Sequence, residues 1–139
     1  MPGQVRSWMT KALQSAGVED PVFHAVEVMA DQGVRHVVVL NDDGELAGIV
    51  SNRDIIRSAM RDPEKRLNLH ACSVDKIMTA TPLHTIRSDA QLSAAAGVMH
   101  REKVSALPVV DSGRLLGLIT SDDVLRAVLS EGVPSLARC

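Results

Sequence analysis

The chain has 139 residues with 15 Lys and Arg against 17 Asp and Glu, a net charge of -2, so it lacks the positive excess of a general nucleic-acid binder. Apolar residues make up 45% but aromatics only 1%, one Phe and one Trp, so the core must rest on Val, Leu, Ile, Met and Ala. The ring platforms that stack single-stranded bases are missing.

Cys72 and Cys139 form no CxxC pair, which excludes a disulfide framework and a zinc knuckle and suits a reducing compartment. The opening, Met1-Pro-Gly-Gln-Val-Arg-Ser-Trp, has no apolar signal-peptide core, and runs such as Leu115 to Ile119 are too short to span a bilayer. A soluble, cytoplasmic protein with no membrane or nucleic-acid partner is expected.

In chain order, Met9-Thr10 comes first, followed by Asp20-Pro21, which reads as an N-cap with Pro at the first helical position. Val22, Val26 and Met29 mark the buried stripe of that helix. Val37 to Leu40 and Leu46 to Val50 read as strands around the turn Asn41-Asp-Asp-Gly44, and a helix starts near Asn52. Ala59 to Ser73, with Asp62-Pro63 and the charges Arg61, Glu64, Lys65 and Arg66, reads as a helix end and solvated linker. After Met78-Thr79, Ser88-Asp-Ala-Gln91 fits a capping box opening a helix to about Glu102, with Leu92, Ala95, Ala96 and Met99 inward. Leu107 to Val110 and Leu115 to Ile119 are strands around Asp111-Ser-Gly113, and a last helix starts near Ser121. The tail beyond Leu129, with Gly132 and Pro134, reads as irregular.

The chain repeats itself. Gly48-Ile-Val-Ser-Asn-Arg-Asp54 matches Gly117-Leu-Ile-Thr-Ser-Asp-Asp123 at a spacing of 69, and Met9-Thr10 matches Met78-Thr79 at the same spacing. Val34 to Leu40 matches Val104 to Val110 at 70, the one-residue slip falling in the turn, where a length change is cheapest. Two copies follow, about 5–58 and 74–127, each strand, helix, strand, strand, helix. The organisation is therefore a first repeat over 1–58, a linker over 59–73, a second repeat over 74–127 and a tail over 128–139. A unit this small buries little surface alone, so an α/β domain of two pseudo-symmetric β-α-β-β-α repeats is expected.

Ser51-x-x-Asp54 and Thr120-x-x-Asp123 fit a capping box, with the hydroxyl at the N-cap and the acid three residues on. They also fit a binding site, and the two readings are compatible. Both acids have an Arg three residues later, Arg57 and Arg126, but only the first copy adds Arg35, His36 and Arg53; the second has Ser105, Ala106 and Asp122 there. His24, His36, His70, His84 and His100 are scattered without metal-ligand spacing, so no metal is expected.

The duplicated Gly-h-h-Ser/Thr-x-x-Asp strand, with Pro108 in the preceding strand and a Met-Thr start, resembles a tandem CBS domain pair (cystathionine β-synthase domains, or Bateman module) over residues 5 to about 128. The first copy departs from the pattern, with Val38 at the Pro108 position and no match for Thr81-Pro82. The resemblance implies a free-standing regulatory binding module, not an enzyme. It implies an adenosine-containing ligand (AMP, ADP, ATP or S-adenosylmethionine) in clefts between the repeats, with no obligatory cofactor. It also implies a homodimer and a protein partner that reads the bound state. Asp54 and Asp123 would accept from the ribose hydroxyls, a natural match of a two-oxygen acceptor to a diol. Ser51 and Thr120 would lie near ribose or phosphate, Ile49 and Leu118 beside adenine, and Arg53 and Asp122 along the cleft. The strand entries Arg35, His36, Val37 and Val38, and Ala106, Leu107 and Pro108, would also line it, as would Thr81 and Ile86. With so few rings, adenine would lie against aliphatic walls such as Ile49, Val37 or Leu118. A phosphorylated nucleotide is expected to prefer the site containing Asp54. The competing reading is a ligand-independent dimerisation scaffold in which the motifs serve only as caps.

Overall fold

The computed structural model describes residues 3–11, 14–61 and 68–131. Its helices are α1 (Val5–Trp8), α2 (Val22–Gln32), α3 (Asn52–Arg61), α4 (Leu92–Glu102) and α5 (Ser121–Ser130). Its strands are β1 (Ser15–Gly17), β2 (His36–Leu40), β3 (Leu46–Ser51), β4 (Thr79–Ala80), β5 (Ala106–Asp111) and β6 (Arg114–Thr120). The expected order β-α-β-β-α is present in both copies, with Ile86 standing for the first strand of the second copy as a single parallel bridge to Val109. The linker residues Asp62 to Arg66 and the tail beyond Glu131 lie outside the described residues.

The hairpins explain the slip in the repeat. In β5–β6, Ser112 and Gly113 both have positive φ, 49° and 79°, the two-residue turn whose twist matches antiparallel strands. In β2–β3 the turn is longer, and the Asn41 side chain accepts from the backbone N–H groups of Asp43 and Glu45 at 3.0 and 2.9 Å.

The elements gather into two compact units that do not coincide with the repeats. One spans Leu13–Leu83; the other joins Met1–Ala12 to His84–Cys139. Each Met-Thr segment therefore lies in the unit built around the other copy's hairpin. In the first unit β4 adds to β3, pairing Gly48 with Ala80 and Ile49 with Thr79, to complete the sheet β1-β2-β3-β4. In the second, Thr10 pairs with Leu118, and the Val5 N–H donates to the Ala90 carbonyl at 2.9 Å. Val74 and Val5, 69 residues apart, are both fully buried, each in the core of the unit its segment joins.

The cores are aliphatic. Val37, Val39 and Val50 pack with Ala16, Ala25, Val28 and Val74. Leu107, Val109 and Ile119 pack with Val5, Leu92, Ala95 and Met99, with Trp8 at the margin.

Two caps expected from sequence differ. The N-cap of α2 is Pro21, because the Asp20 carboxylate instead accepts from the Gly17 N–H at 2.7 Å. The N-cap of α4 is Gln91, without a side-chain cap. Ser88 is drawn to Asp111: its N–H and hydroxyl donate to the two carboxylate oxygens at 2.9 and 2.5 Å. A carboxylate 23 residues away in sequence thus outcompetes the local cap. Residues 68–73, expected as solvated linker, are tied to α2: the Val22 and Phe23 N–H groups donate to Cys72 and Leu69 carbonyls at 2.9 and 2.8 Å. The Phe23 ring lies 4.4 Å from that of His70.

The motif glycines are fixed by this exchange. A Cβ on Gly48 would lie 2.6 Å from the Thr79 carbonyl oxygen and 2.6 Å from Met78 Sδ, and one on Gly117 would strike the Thr10 carbonyl oxygen. Gly97, exposed within α4, has nothing within 4 Å of such an atom. Urea unfolding should show Gly48→Ala and Gly117→Ala each losing about 1–3 kcal/mol, as for overpacking. Gly97→Ala should gain up to about 1 kcal/mol. Losses below about 0.5 kcal/mol at both motif glycines would contradict the close approach.

Candidate ligand-binding motifs

Both motifs sit where a strand runs directly into a helix. The Asn52 N–H donates to the Arg35 carbonyl at 3.0 Å, and the Ser121 N–H to the Ser105 carbonyl at 2.9 Å, pinning each strand entry beside its motif. At the first junction the Ser51 N–H donates to Asp54 Oδ2 at 2.8 Å, and the Asp54 N–H donates to Ser51 Oγ at 3.1 Å. At the second, the Thr120 N–H donates to Asp123 Oδ2 at 2.9 Å, and the Asp123 N–H donates to Thr120 Oγ1 at 3.4 Å. The capping reading therefore holds in both copies, and in both it engages only Oδ2.

The second oxygen distinguishes them. Asp54 is half-buried, and among the described residues its Oδ1 accepts no hydrogen bond. Asp123 is 4% exposed, and its Oδ1 accepts from Arg126 Nη2. The Thr120 hydroxyl also donates to Oδ2 at 3.1 Å, and Arg126 Nε lies 3.9 Å from Asp122. Arg57, at the position of Arg126, is exposed and pairs with no carboxylate among the described residues. The i,i+3 spacing is identical in both copies, so spacing by itself does not distinguish them.

Strand register sorts the expected lining residues, because successive side chains face opposite ways. His36 is opposite Ser51 and Val38 opposite Ile49, so these four share the face away from the core residues Val37, Val39 and Val50. Ala106 is opposite Thr120 and Pro108 opposite Leu118, again away from Leu107, Val109 and Ile119. Of the expected site residues, Val37 and Leu107 lie in the hydrophobic cores because period-two alternation turns them from the motif face, and Ile86, held by a single parallel bridge to Val109, is buried in the second core. Val38, Pro108 and Leu118 are buried on that face. Thr81 is exposed in the Asp54 unit, its N–H donating to the Ala47 carbonyl at 3.0 Å, while Ile86 belongs to the Asp123 unit.

The charges also differ. Arg35 and Arg53 are exposed at the Asp54 motif, where the second copy has Ser105 and Asp122. The His36 imidazole is held below its ordinary pKa chiefly by burial, then by Arg35, with Asp54 opposing and Arg53 adding to the effect. Because the folded state disfavours the imidazolium, this contribution to stability is complete above about pH 6.5 and is lost as pH falls toward the depressed folded value. The urea midpoint of the native chain should fall between pH 7 and 5.5, and His36→Gln should make the fall shallower; an unchanged slope would contradict the coupling.

The family model of the CBS domain matches residues 5–61 and again 74–130. The chain belongs to the CBS domain family. Inosine-5'-monophosphate dehydrogenase of Mycobacterium tuberculosis is 42% identical over 133 residues, covering 89% of this chain and 23% of that protein. Homoserine O-acetyltransferase of Methanococcoides burtonii is 38% identical over 105 residues, covering 75% and 20%. The chain thus spans between 20% and 23% of these relatives' length. A signal-transduction protein with CBS domains from Burkholderia ambifaria superposes with TM-score 0.79 at 27% identity, over 91% of this chain and 89% of its own. CBSX2 in complex with AMP gives 0.77 at 27%, over 95% and 100%. The CBS domain pair of protein MJ0100, in complex with 5'-methylthioadenosine and S-adenosyl-L-methionine, gives 0.76 at 25%, over 90% and 98%. No helix among the described residues is long and apolar enough to cross a membrane.

Proposed function

We propose that this CBS pair is a regulatory module that binds an adenosine-containing ligand, AMP, ADP, ATP or S-adenosylmethionine, and passes its bound state to a protein partner. The observation that carries the reading is the Asp54 junction. It offers one carboxylate oxygen left over from capping, on a strand-to-helix turn flanked by Ile49 and Val38 on the same sheet face. A ribose diol supplies two donors to such an acceptor. Ile49 and Val38 give adenine an aliphatic wall, in keeping with a chain of only 1% aromatics. The AMP and S-adenosyl-L-methionine complexes of similar CBS pairs support this ligand class. Arg35 and Arg53 favour a phosphorylated ligand at Asp54, by charge-assisted bonds that salt weakens. The ligand biases the pair only through unequal affinity for two conformations.

Thermal unfolding with and without AMP, ATP and S-adenosylmethionine tests the reading. A ligand at 100 times its Kd adds about 2.7 kcal/mol, a rise in midpoint of about 5–10 °C. Asp54→Asn should remove that rise. No rise with any of the three would leave the scaffold reading in its place.

A second reading, self-association, is favoured by α3 and α5. Ile56 and Met60 are 55% and 72% exposed, and their counterparts Leu125 and Leu129 are 60% and 65% exposed. Paired apolar positions repeated on two helices suit a homodimer surface. Sedimentation equilibrium should find a dimer that the double variant Met60→Glu, Leu129→Glu converts to monomer; a monomeric native chain would contradict it.

A further inference from the structure

The two copies of the motif are unequal in a way that bears on how many ligands the chain takes. Resting on the reading that the motif aspartate receives the ribose, we propose that each chain binds one adenosyl ligand, at Asp54, and that Arg126 keeps the second motif closed by occupying the carboxylate of Asp123.

Bidentate reception of a diol needs a carboxylate with acceptor capacity to spare. Asp123 has little: Oδ2 takes the Thr120 N–H and hydroxyl, and Oδ1 takes the Arg126 guanidinium. A ribose hydroxyl is a neutral donor, and to enter it must displace a charge-assisted bond to a carboxylate only 4% exposed. Asp54 offers Oδ1 without such a competitor among the described residues.

The cause is one residue in each copy. Asp122 is four residues before Arg126 and holds its Nε at 3.9 Å, which draws the guanidinium back over the first turn of α5, toward Asp123. The residue four before Arg57 in α3 is Arg53, a like charge that gives Arg57 no such anchor, and Arg57 pairs with no carboxylate among the described residues. The residue immediately before the motif aspartate thus decides whether the downstream arginine closes the carboxylate. Arg126 and Asp122 are specificity-determining residues under this proposal, and the cap of α5, made by Thr120 and Asp123, uses neither.

Equilibrium dialysis of the full chain, with AMP and separately with S-adenosylmethionine, counts ligands per chain. The native chain should bind one AMP. Asp54→Asn should weaken that binding at least tenfold, and Asp123→Asn should change it less than twofold. Asparagine keeps an oxygen for the cap, and circular dichroism confirms that both variants are folded. Arg126→Ala should bind one more S-adenosylmethionine per chain than the native protein, the cationic ligand suiting the exposed Asp122. Two AMP per chain in the native protein, loss of binding in Asp123→Asn but not Asp54→Asn, or no added site in Arg126→Ala would each overturn the proposal while leaving the adenosyl reading standing. Failure of the native chain to bind either ligand would overturn both.

Discussion

The carbonyl oxygen of Thr79 lies only 2.6 Å from where a Cβ on Gly48 would sit, and the carbonyl of Thr10 crowds Gly117 in the same manner. That backbone approach dictates much of the rest. It lets a short Met-Thr segment, too small to fold alone, add to the edge of a two-stranded hairpin and cover it. Because each segment covers the hairpin of the other copy, neither sequence repeat is a self-sufficient unit. The fold is thus held by contacts between residues 31 and 107 positions apart, Gly48 with Thr79 and Gly117 with Thr10. The same glycine lies within the strand that runs into the helix carrying the motif aspartate, six residues on, so core closure and site placement share one element.

From that shared frame the two motifs diverge in charge. Both junctions close with the same reciprocal cap between hydroxyl residue and aspartate. What surrounds the cap differs: Arg35, His36 and Arg53 in one copy, Ser105, Ala106 and Asp122 in the other. Burial and the neighbouring arginines depress His36, whereas the acidic pair Asp122 and Asp123 captures Arg126. Duplication supplied two equivalent frames, and a handful of surface charges made them chemically distinct.

Much of this was legible in the sequence because repetition doubles every local signal. The β-α-β-β-α order, the starts of α3 and α5 at Asn52 and Ser121, and the change of turn length at Asn41 and Asp111 all followed from aligning the chain with itself. The exchange of the Met-Thr segments did not, since local patterning carries no information about which distant edge a segment covers. Period-two alternation, applied to strict register, would have turned Val37 and Leu107 inward, but register is fixed by the hairpin turn and is not visible in composition. The Ser88 cap failed because its competitor, Asp111, is remote in sequence. Arg57 and Arg126 have identical spacing to their aspartates, and only the charge one turn back separates their behaviour.

In a crystal structure of the chain grown with AMP, the ribose hydroxyls should sit on Asp54, the adenine against Ile49 and Val38, and Asp123 should still pair with Arg126. AMP with its ribose on Asp123, or seated without touching either aspartate, would contradict this placement.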